Sequence, residues 1–284
     1  MTTSVLAWWS LLCAVSLINV MAWSVSATHL WRKSMSFDTP TWASIRLQII
    51  LSAGYVFGCA YRSVLPVFDV KRLCLIDTWL SSVIVGRSVA TIAELCFVAQ
   101  WAMLSRGIAR TSENRVGIMA SHAVVPMIFV AEMFSWYSVL TTSNLGHVIE
   151  ESLWGLCALM LAASYLHALP RTQLEYRSVL ATFSAIGAIY ALYMFLIDVP
   201  MYWSRWTFDN EQGHQFLSVT QGLADASGRW VVSHRWADWE TEVIWMSAYF
   251  SIAVWMSIGL IHLPLLRPRL SSSPTAVNVT PLTH

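Results

Sequence analysis

The feature that most constrains this chain is a series of seven apolar stretches, each about as long as a membrane-crossing helix. A helix needs about 20 apolar residues to cross about 30 Å of hydrocarbon. A soluble core could not bury this many apolar side chains, since 56% of the residues are hydrophobic and only 12% are charged. The sequence therefore predicts an all-α integral membrane protein, a seven-transmembrane-helix bundle with spans near 4–27, 43–63, 79–104, 116–139, 145–168, 178–197 and 241–263.

The distribution of basic residues predicts the orientation of the bundle. Outside the long 198–240 connection, three basic residues, Arg62, Lys71 and Arg72, lie on the side of the N-terminus. Ten lie on the other side, namely Arg32, Lys33, Arg46, Arg106, Arg110, Arg115, Arg171, Arg177, Arg267 and Arg269. Because cytoplasmic loops are enriched in Lys and Arg, we expect the N-terminus outside and the C-terminus in the cytoplasm. The expected location is a bacterial inner membrane or an equivalent membrane.

The connections divide the chain into a transmembrane domain, 1–264, and a tail. Residues 198–240 are predicted to form an exoplasmic loop that is rich in tryptophan, with a short helix near 216–224 and a short strand near 230–236. The 62–78 connection is expected to contain a short interfacial helix. The tail, 265–284, is rich in Pro, Ser and Thr, which predicts a disordered cytoplasmic segment.

Composition also excludes several classes of protein. A formal charge of +1 provides no basic face for nucleic acid. The five cysteines are scattered without a CxxC spacing, so neither a disulfide framework nor a thiolate metal site is indicated. The two lysines, Lys33 and Lys71, lie outside the last span, which excludes a retinal Schiff base there. P-loop and GxSxG motifs are absent from the sequence.

Ionisable residues inside the spans are the main functional signal. The fifth span begins with HVIEE, which places His147, Glu150 and Glu151 roughly 3–8 Å inside its start. Glu132 and Arg87 lie roughly 10–12 Å from the same side in spans four and three. Charged side chains inside a membrane are costly and usually face the protein interior. These five residues are therefore expected to converge at one depth.

The residue types at this depth predict a metal site. His147 and Glu151 are separated by four residues and His147 and Glu150 by three, so all three side chains lie near one face of the helix. Imidazole and carboxylate groups that converge in this way bind a divalent transition metal. The predicted ligands of one or two ions are His147, Glu150, Glu151 and Glu132.

Structural alternatives remain open for the same residues. The HVIEE acids are also consistent with charges at the headgroup boundary. Arg87 and Glu132 are also consistent with a structural ion pair that locks span three against span four. Arg87, Glu94 and His122 form a third pattern, a ladder of titratable groups through most of the membrane, which is typical of a proton or ion pathway.

Three functional hypotheses follow from these patterns. The leading one is a metal-dependent membrane enzyme that acts on a lipid or another apolar small molecule, with Arg87 and Glu94 as candidate catalytic residues. The second is a proton- or ion-coupled transporter or channel that uses the Arg87–Glu94–His122 ladder. The third is a non-catalytic subunit of a membrane complex, in which the 198–240 loop is a docking surface for an oligomer or complex partner.

Overall fold

The computed structural model describes residues 3–263, which are mostly helical. It confirms the seven-helix prediction, and the chain is built as a multi-pass membrane protein. Among the described residues, seven helical segments are long and apolar enough to cross a membrane: Thr3–Arg32, Thr39–Val64, Val83–Thr111, Arg115–Thr141, Leu145–Arg171, Tyr176–Glu211 and Trp236–Leu260. The predicted disordered tail, 265–284, lies outside the described residues.

The first four spans are single α-helices, the fifth is one α-helix followed by a 3-10 turn (Leu169–Arg171), and the last two are interrupted by a wider helical turn. The continuous helices are α1 (Thr3–Arg32), α2 (Thr39–Val64), α3 (Val83–Thr111), α4 (Arg115–Thr141) and α5 (Leu145–Ala168). The sixth span comprises α6 (Leu174–Tyr193) from Tyr176 onwards, a π-helical turn (Met194–Asp198) and α7 (Val199–Glu211). After the short α8 (Val219–Gly228), the seventh span contains α9 (Trp236–Ala248), a second π-helical turn (Tyr249–Ala253) and α10 (Val254–Leu260).

Polar residues just before several helices fix where these helices begin. The Asp38 side chain accepts a hydrogen bond from the Thr41 backbone N–H at 3.3 Å, with Pro40 in the first turn of α2. The Asn114 side chain accepts one from the Gly117 N–H at 3.1 Å at the start of α4. Each cap satisfies a backbone donor that has no partner inside its helix.

The helices pack as two groups on either side of α3. On one side, α4 packs against α3, α5 packs against α4, and the sixth span packs mainly on α5. On the other side, α2 packs against α3, and the seventh span packs against α1, α2 and α3. The sixth and seventh spans therefore belong to different groups, and an interior cavity lies between them.

One end of the bundle is covered by residues 65–82 and 212–235, which we call the capped end. Its three two-residue strands are β1 (Val67–Phe68), β2 (Leu73–Cys74) and β3 (Val231–Val232). β1 pairs antiparallel with β2, in the register Val67 with Cys74, and β2 pairs parallel with β3. Strands β1 and β2 form where a short interfacial helix was expected. That expectation was wrong because the chain turns back at Arg72, whose φ of 58° ends any helical run.

The 198–240 segment is also less loop-like than the sequence predicted. Residues 199–211 continue the sixth span as α7, because polar residues mark the exit from an apolar layer but do not by themselves end a helix. The Asn144 side chain donates a hydrogen bond to Asp209 at 3.0 Å and ties α7 to the start of α5. α8 overlaps the short helix that was predicted near 216–224 but begins and ends later, and β3 lies within the predicted strand near 230–236.

Candidate functional site

Arg87 lies at the centre of the site. Its side chain projects from the second turn of α3 and is 6% exposed. Its Nη2 donates to Glu132 Oε2 at 2.5 Å and lies 3.3 Å from Glu94 Oε2 and 3.4 Å from Glu150 Oε1. One guanidinium nitrogen therefore contacts carboxylates from three helices, which makes it the junction of α3, α4 and α5.

The three acids around Arg87 form what we call the carboxylate cluster, Glu94, Glu132 and Glu150. Each provides one oxygen, and these oxygens all lie within 4.8 Å of one another. Glu132 and Glu150 are 2% and 4% exposed, and Glu94 is partly buried. Negative groups this close in a medium of low dielectric need positive countercharge, and one arginine supplies a single unit.

A second set of contacts orients Glu132. The Thr91 hydroxyl donates to Glu132 Oε2 at 2.6 Å, and the Trp136 indole N–H donates to the Thr91 oxygen at 3.1 Å. Glu132 Oε1 and Arg87 Nε are buried and have no hydrogen-bond partner within residues 3–263. The site thus retains one acceptor and one donor that the described part of the chain leaves unsatisfied.

His147 joins the cluster through Glu150. Its Nδ1 lies 2.6 Å from Glu150 Oε2, and its ring packs against Tyr202 with centroids 4.9 Å apart. Its backbone N–H donates to Ser138 Oγ at 2.7 Å, which fastens the first turn of α5 to α4. This close approach requires Gly146, because a Cβ there would overlap the Phe134 carbonyl oxygen.

The structure brings together most of the site residues that the sequence singled out, in a different grouping. His147, Glu150, Glu132 and Arg87 converge as expected, and the predicted Arg87–Glu132 pair is present. Glu94, which was assigned to a separate ladder, belongs to this cluster instead. Glu151 lies outside the group of converging oxygens and lines the neighbouring cavity.

The proposed ladder is not continued by His122. Its side chain is exposed on the outer face of α4, whereas Arg87 and Glu94 face the interior. The expectation that these three groups form one series was wrong, since depth along a helix does not specify which face a residue occupies.

A cavity of about 400 Å³ extends from the cluster into the bundle. Its polar end is lined by Arg87, Glu94, His147, Glu150 and Glu151. Its opposite end is lined by apolar and aromatic side chains, including Phe97, Trp101, Leu161, Phe183 and Ile186. Along α3, the segment from Arg87 to Trp101 spans roughly 21 Å, so the cavity is long as well as amphipathic.

Two ion pairs lie at the capped end of this cavity. Arg62 pairs with Asp69 at 3.4 Å, and Arg205 of α7 lies 4.0 Å from Glu242 of α9. The Arg205 guanidinium also lies over the Tyr202 ring, 5.3 Å from its centroid. The second pair connects the sixth and seventh spans, and a stacked Tyr193–Trp245 pair at 6.2 Å connects them again.

Sequence reasoning did not identify the aromatic residues of the site. Tyr190 and Tyr202 line the cavity beside Glu151, and Trp154 follows Glu151 by three residues on α5. Residues 198–240 were expected to form a loop. The sequence therefore did not predict on which side of a helix Tyr202 would lie relative to α5. The i,i+3 spacing of Glu151 and Trp154 was the one signal available in the sequence.

Comparisons of the chain with protein-family models, with curated proteins and with solved structures found no match. The geometry of the site is therefore the basis for assigning a function.

Proposed function

We propose that this protein is a metal-dependent membrane enzyme that acts on a lipid or another amphiphilic small molecule. The observation that carries this proposal is a group of three converging carboxylates, two of which, Glu94 and Glu150, line one end of a long cavity whose other end is apolar. Charges inside a membrane protein mark functional sites by default, and a cavity of this kind is the usual form of a small-molecule site.

The shape and lining of the cavity support an amphiphilic substrate. Its length of roughly 21 Å along α3 suits an extended hydrocarbon chain. Its polar end offers charged and hydrogen-bonding groups to a head group, whereas Phe97, Trp101 and Phe183 offer apolar surface to a chain. A compact polar metabolite would leave the apolar end without a matching partner.

The chemistry of the carboxylate cluster and of the adjoining His147 supports a divalent ion. Carboxylate oxygens and an imidazole nitrogen are the donors that Mn²⁺, Fe²⁺ or Zn²⁺ accept. Glu132 Oε1 is almost completely buried and unsatisfied within residues 3–263, so it has a lone pair free for an ion. In our proposal Glu94, Glu132, Glu150 and His147 bind the metal.

Arg87 has a double role in this proposal. Its Nη2 lies within 3.4 Å of all three carboxylates, so the guanidinium and a metal ion compete for the same oxygens. When an ion is bound, Arg87 is available to a negatively charged group that develops on the substrate. In this proposal the site lies near the outer face of the membrane. The capped end faces outside because most basic residues outside the 198–240 connection lie on the opposite side.

Metal analysis of the purified protein tests this function. We expect about one or two equivalents of a transition metal in the wild type after purification in metal-replete buffer. Folded Glu132→Gln/Glu150→Gln protein should lose most of it, whereas Glu240→Gln, at an exposed position of α9, should retain it. A folded, metal-free wild type would refute metal dependence.

The extent of the cavity favours one alternative function, an ion-coupled transporter. The cavity reaches from Arg62 near the capped end to Tyr165, late in α5, and so extends across much of the bundle. In a transporter, Glu94 would exchange a proton or ion. Glu94→Gln should then abolish the flux of protons or ions into proteoliposomes without changing the metal content of the protein. An unchanged flux would eliminate this alternative.

A further inference from the structure

One acidic residue of the cavity is not used by the proposed metal site. Glu151 lines the cavity, and its carboxylate has no hydrogen bond or ion pair within residues 3–263. Successive residues of a helix point about 100° apart, so Glu151 is turned away from the partners of Glu150. An unpaired carboxylate in an interior cavity attracts a positively charged group.

The surroundings of Glu151 are aromatic. Tyr190 and Tyr202, which belong to the sixth span, line the same cavity as Glu151. Trp154, one turn further along α5, and Trp245 of the seventh span also line the cavity. Aromatic faces attract ammonium groups through their electron-rich centres, and several rings around one acid are typical of sites for substituted ammonium ions.

Acidic side chains outnumber basic ones in the lining of the cavity. Five carboxylates, of Asp69, Glu94, Glu150, Glu151 and Glu242, face three arginines, Arg62, Arg87 and Arg205. Glu132, bonded to Arg87, adds a sixth carboxylate. Six carboxyl groups thus lie in or next to the lining of the cavity, against three guanidinium groups. An anionic head group would add to this acidic excess, whereas an ammonium group would complement it.

Arg87 provides a separate indication that a ligand binds here. Its side chain is 6% exposed and lines the cavity, and its Nε–H has no acceptor within residues 3–263. A buried guanidinium donor without an acceptor is costly. An oxygen atom of a head group that lies between Arg87 and Glu151 would satisfy it.

We infer that the cavity binds an amphiphile whose head group carries a substituted ammonium ion, held by Glu151 between the rings of Tyr190 and Tyr202. The hydrocarbon chain extends from there towards Trp101 and Phe183. This inference rests on the proposed function, because it assigns the class of head group to the substrate of the same cavity.

The test compares three ten-carbon probes that differ in head-group charge: decyltrimethylammonium, decanol and decyl sulfate. Tritiated decyltrimethylammonium and tritiated decanol are bound to the full-length protein in maltoside micelles, whose sugar heads are uncharged, and each is displaced by all three unlabelled probes. In the wild type we expect decyltrimethylammonium to bind about tenfold more tightly than decanol, and decyl sulfate to bind most weakly.

Variants assign this preference to the named residues. In Glu151→Gln the preference for ammonium over decanol should fall to about twofold or less, whereas Glu240→Gln should retain it. Tyr202→Leu should reduce the preference about fivefold, and Tyr202→Phe should retain it, because the aromatic face remains. If Glu151→Gln does not fold, Glu151→Asp and the two Tyr202 variants carry the test, with Glu151→Asp expected to retain the preference in weakened form.

The possible outcomes separate this inference from the proposed function. Equal binding of the three probes to the wild type would overturn the ammonium inference and leave an amphiphile as the substrate. An ammonium preference that persists unchanged in both Glu151→Gln and Tyr202→Leu would also overturn it. The absence of saturable binding by either labelled probe would overturn both the inference and the lipid-like substrate, whereas metal dependence is decided by metal analysis alone.

Discussion

The Arg87 guanidinium and the Glu132 carboxylate meet at 2.5 Å between α3 and α4, with both side chains almost completely buried. The same arginine nitrogen also contacts Glu94 and Glu150. Removal of a positive charge from such a group leaves negative charges without compensation in a medium that solvates them poorly. Arg87 therefore contributes both to helix packing and to the charge balance of the site.

Replacement of Arg87 should destabilise the protein strongly. We expect Arg87→Gln to lower the free energy of unfolding by about 3–5 kcal/mol, because buried carboxylates lose their partner. The double variant Arg87→Gln/Glu132→Gln should lose less free energy of unfolding than Arg87→Gln and Glu132→Gln lose in sum, because both members of the pair are then absent. Denaturation in detergent checks this, with exposed Arg110→Gln, in the last turn of α3, expected to cost less than about 1 kcal/mol.

Divalent ions should stabilise the Arg87→Gln variant more than the wild type. Without the guanidinium, an ion binds the three carboxylates with no competing cation, and binding to the folded state alone raises stability. Thermal unfolding with and without Mn²⁺ or Zn²⁺ measures the difference. The same ions should have little effect on Arg87→Gln/Glu132→Gln/Glu150→Gln. An identical response of all variants would show that the ions bind elsewhere.

Gly146 should be intolerant of a side chain. A Cβ at this position would meet the Phe134 carbonyl and lie 2.6 Å from Ser138 Oγ, so the start of α5 would have to move away from α4. We expect Gly146→Ala to cost about 1–3 kcal/mol and to weaken metal binding, because His147 is the next residue. Gly259→Ala in α10, where a Cβ meets open space, should instead be stabilising by up to about 1 kcal/mol.

Hydropathy was sufficient to find the seven spans, because crossing a bilayer demands a minimum length of apolar helix. Hydropathy did not predict where the helices end. The Trp-rich, charged run after Asp198 resembles a loop in composition, yet it continues as α7, since a helix persists outside an apolar layer when it packs on a neighbour. Hydropathy reports the surroundings of a residue and gives little information on backbone conformation.

Depth along the helices correctly suggested that Arg87, Glu132, His147 and Glu150 converge. It could not separate Glu150 from Glu151, because adjacent residues share a depth and differ by about 100° in direction. It also assigned Glu94 to a deeper level, although the long arginine side chain reaches along α3 and joins Arg87 to Glu94 at i+7. The rotation of each helix is set by packing contacts that a single sequence does not display.

The Asp225 carboxylate at the capped end gives a pH-dependent prediction. Burial opposes its ionisation, but hydrogen bonds from Arg229 and Arg72 outweigh burial and lower its pKa below the ordinary value. A lowered folded-state pKa contributes stability above the unfolded pKa of about 3.9, and this contribution is lost as pH falls through the folded value. The protection of the Val231 and Ser233 amides against hydrogen exchange should therefore decrease below about pH 4.

Asp225→Asn provides the comparison for this prediction. Arg72, which is fully buried, then lacks its charged partner, and β3 loses its anchor beside β2. Protection of the Val231 amide, which donates to the Arg72 carbonyl at 2.7 Å, should be low at neutral pH and should not fall further on acidification. A decrease of equal size in wild type and variant would assign the pH effect to another group.

Gln100 should be essential for packing away from the carboxylate cluster. Its Nε2 donates to Gln48 Oε1 at 2.9 Å, its Oε1 accepts from Ser257 Oγ at 2.6 Å, and all three residues are buried. The network joins α2, α3 and α10, so Gln100→Leu should cost about 1–3 kcal/mol by leaving polar groups unsatisfied. Gln48→Leu/Gln100→Leu should cost less than the sum of the single changes, whereas exposed Gln212→Leu should cost little. Strict additivity of the two buried changes in denaturation experiments would contradict a shared network.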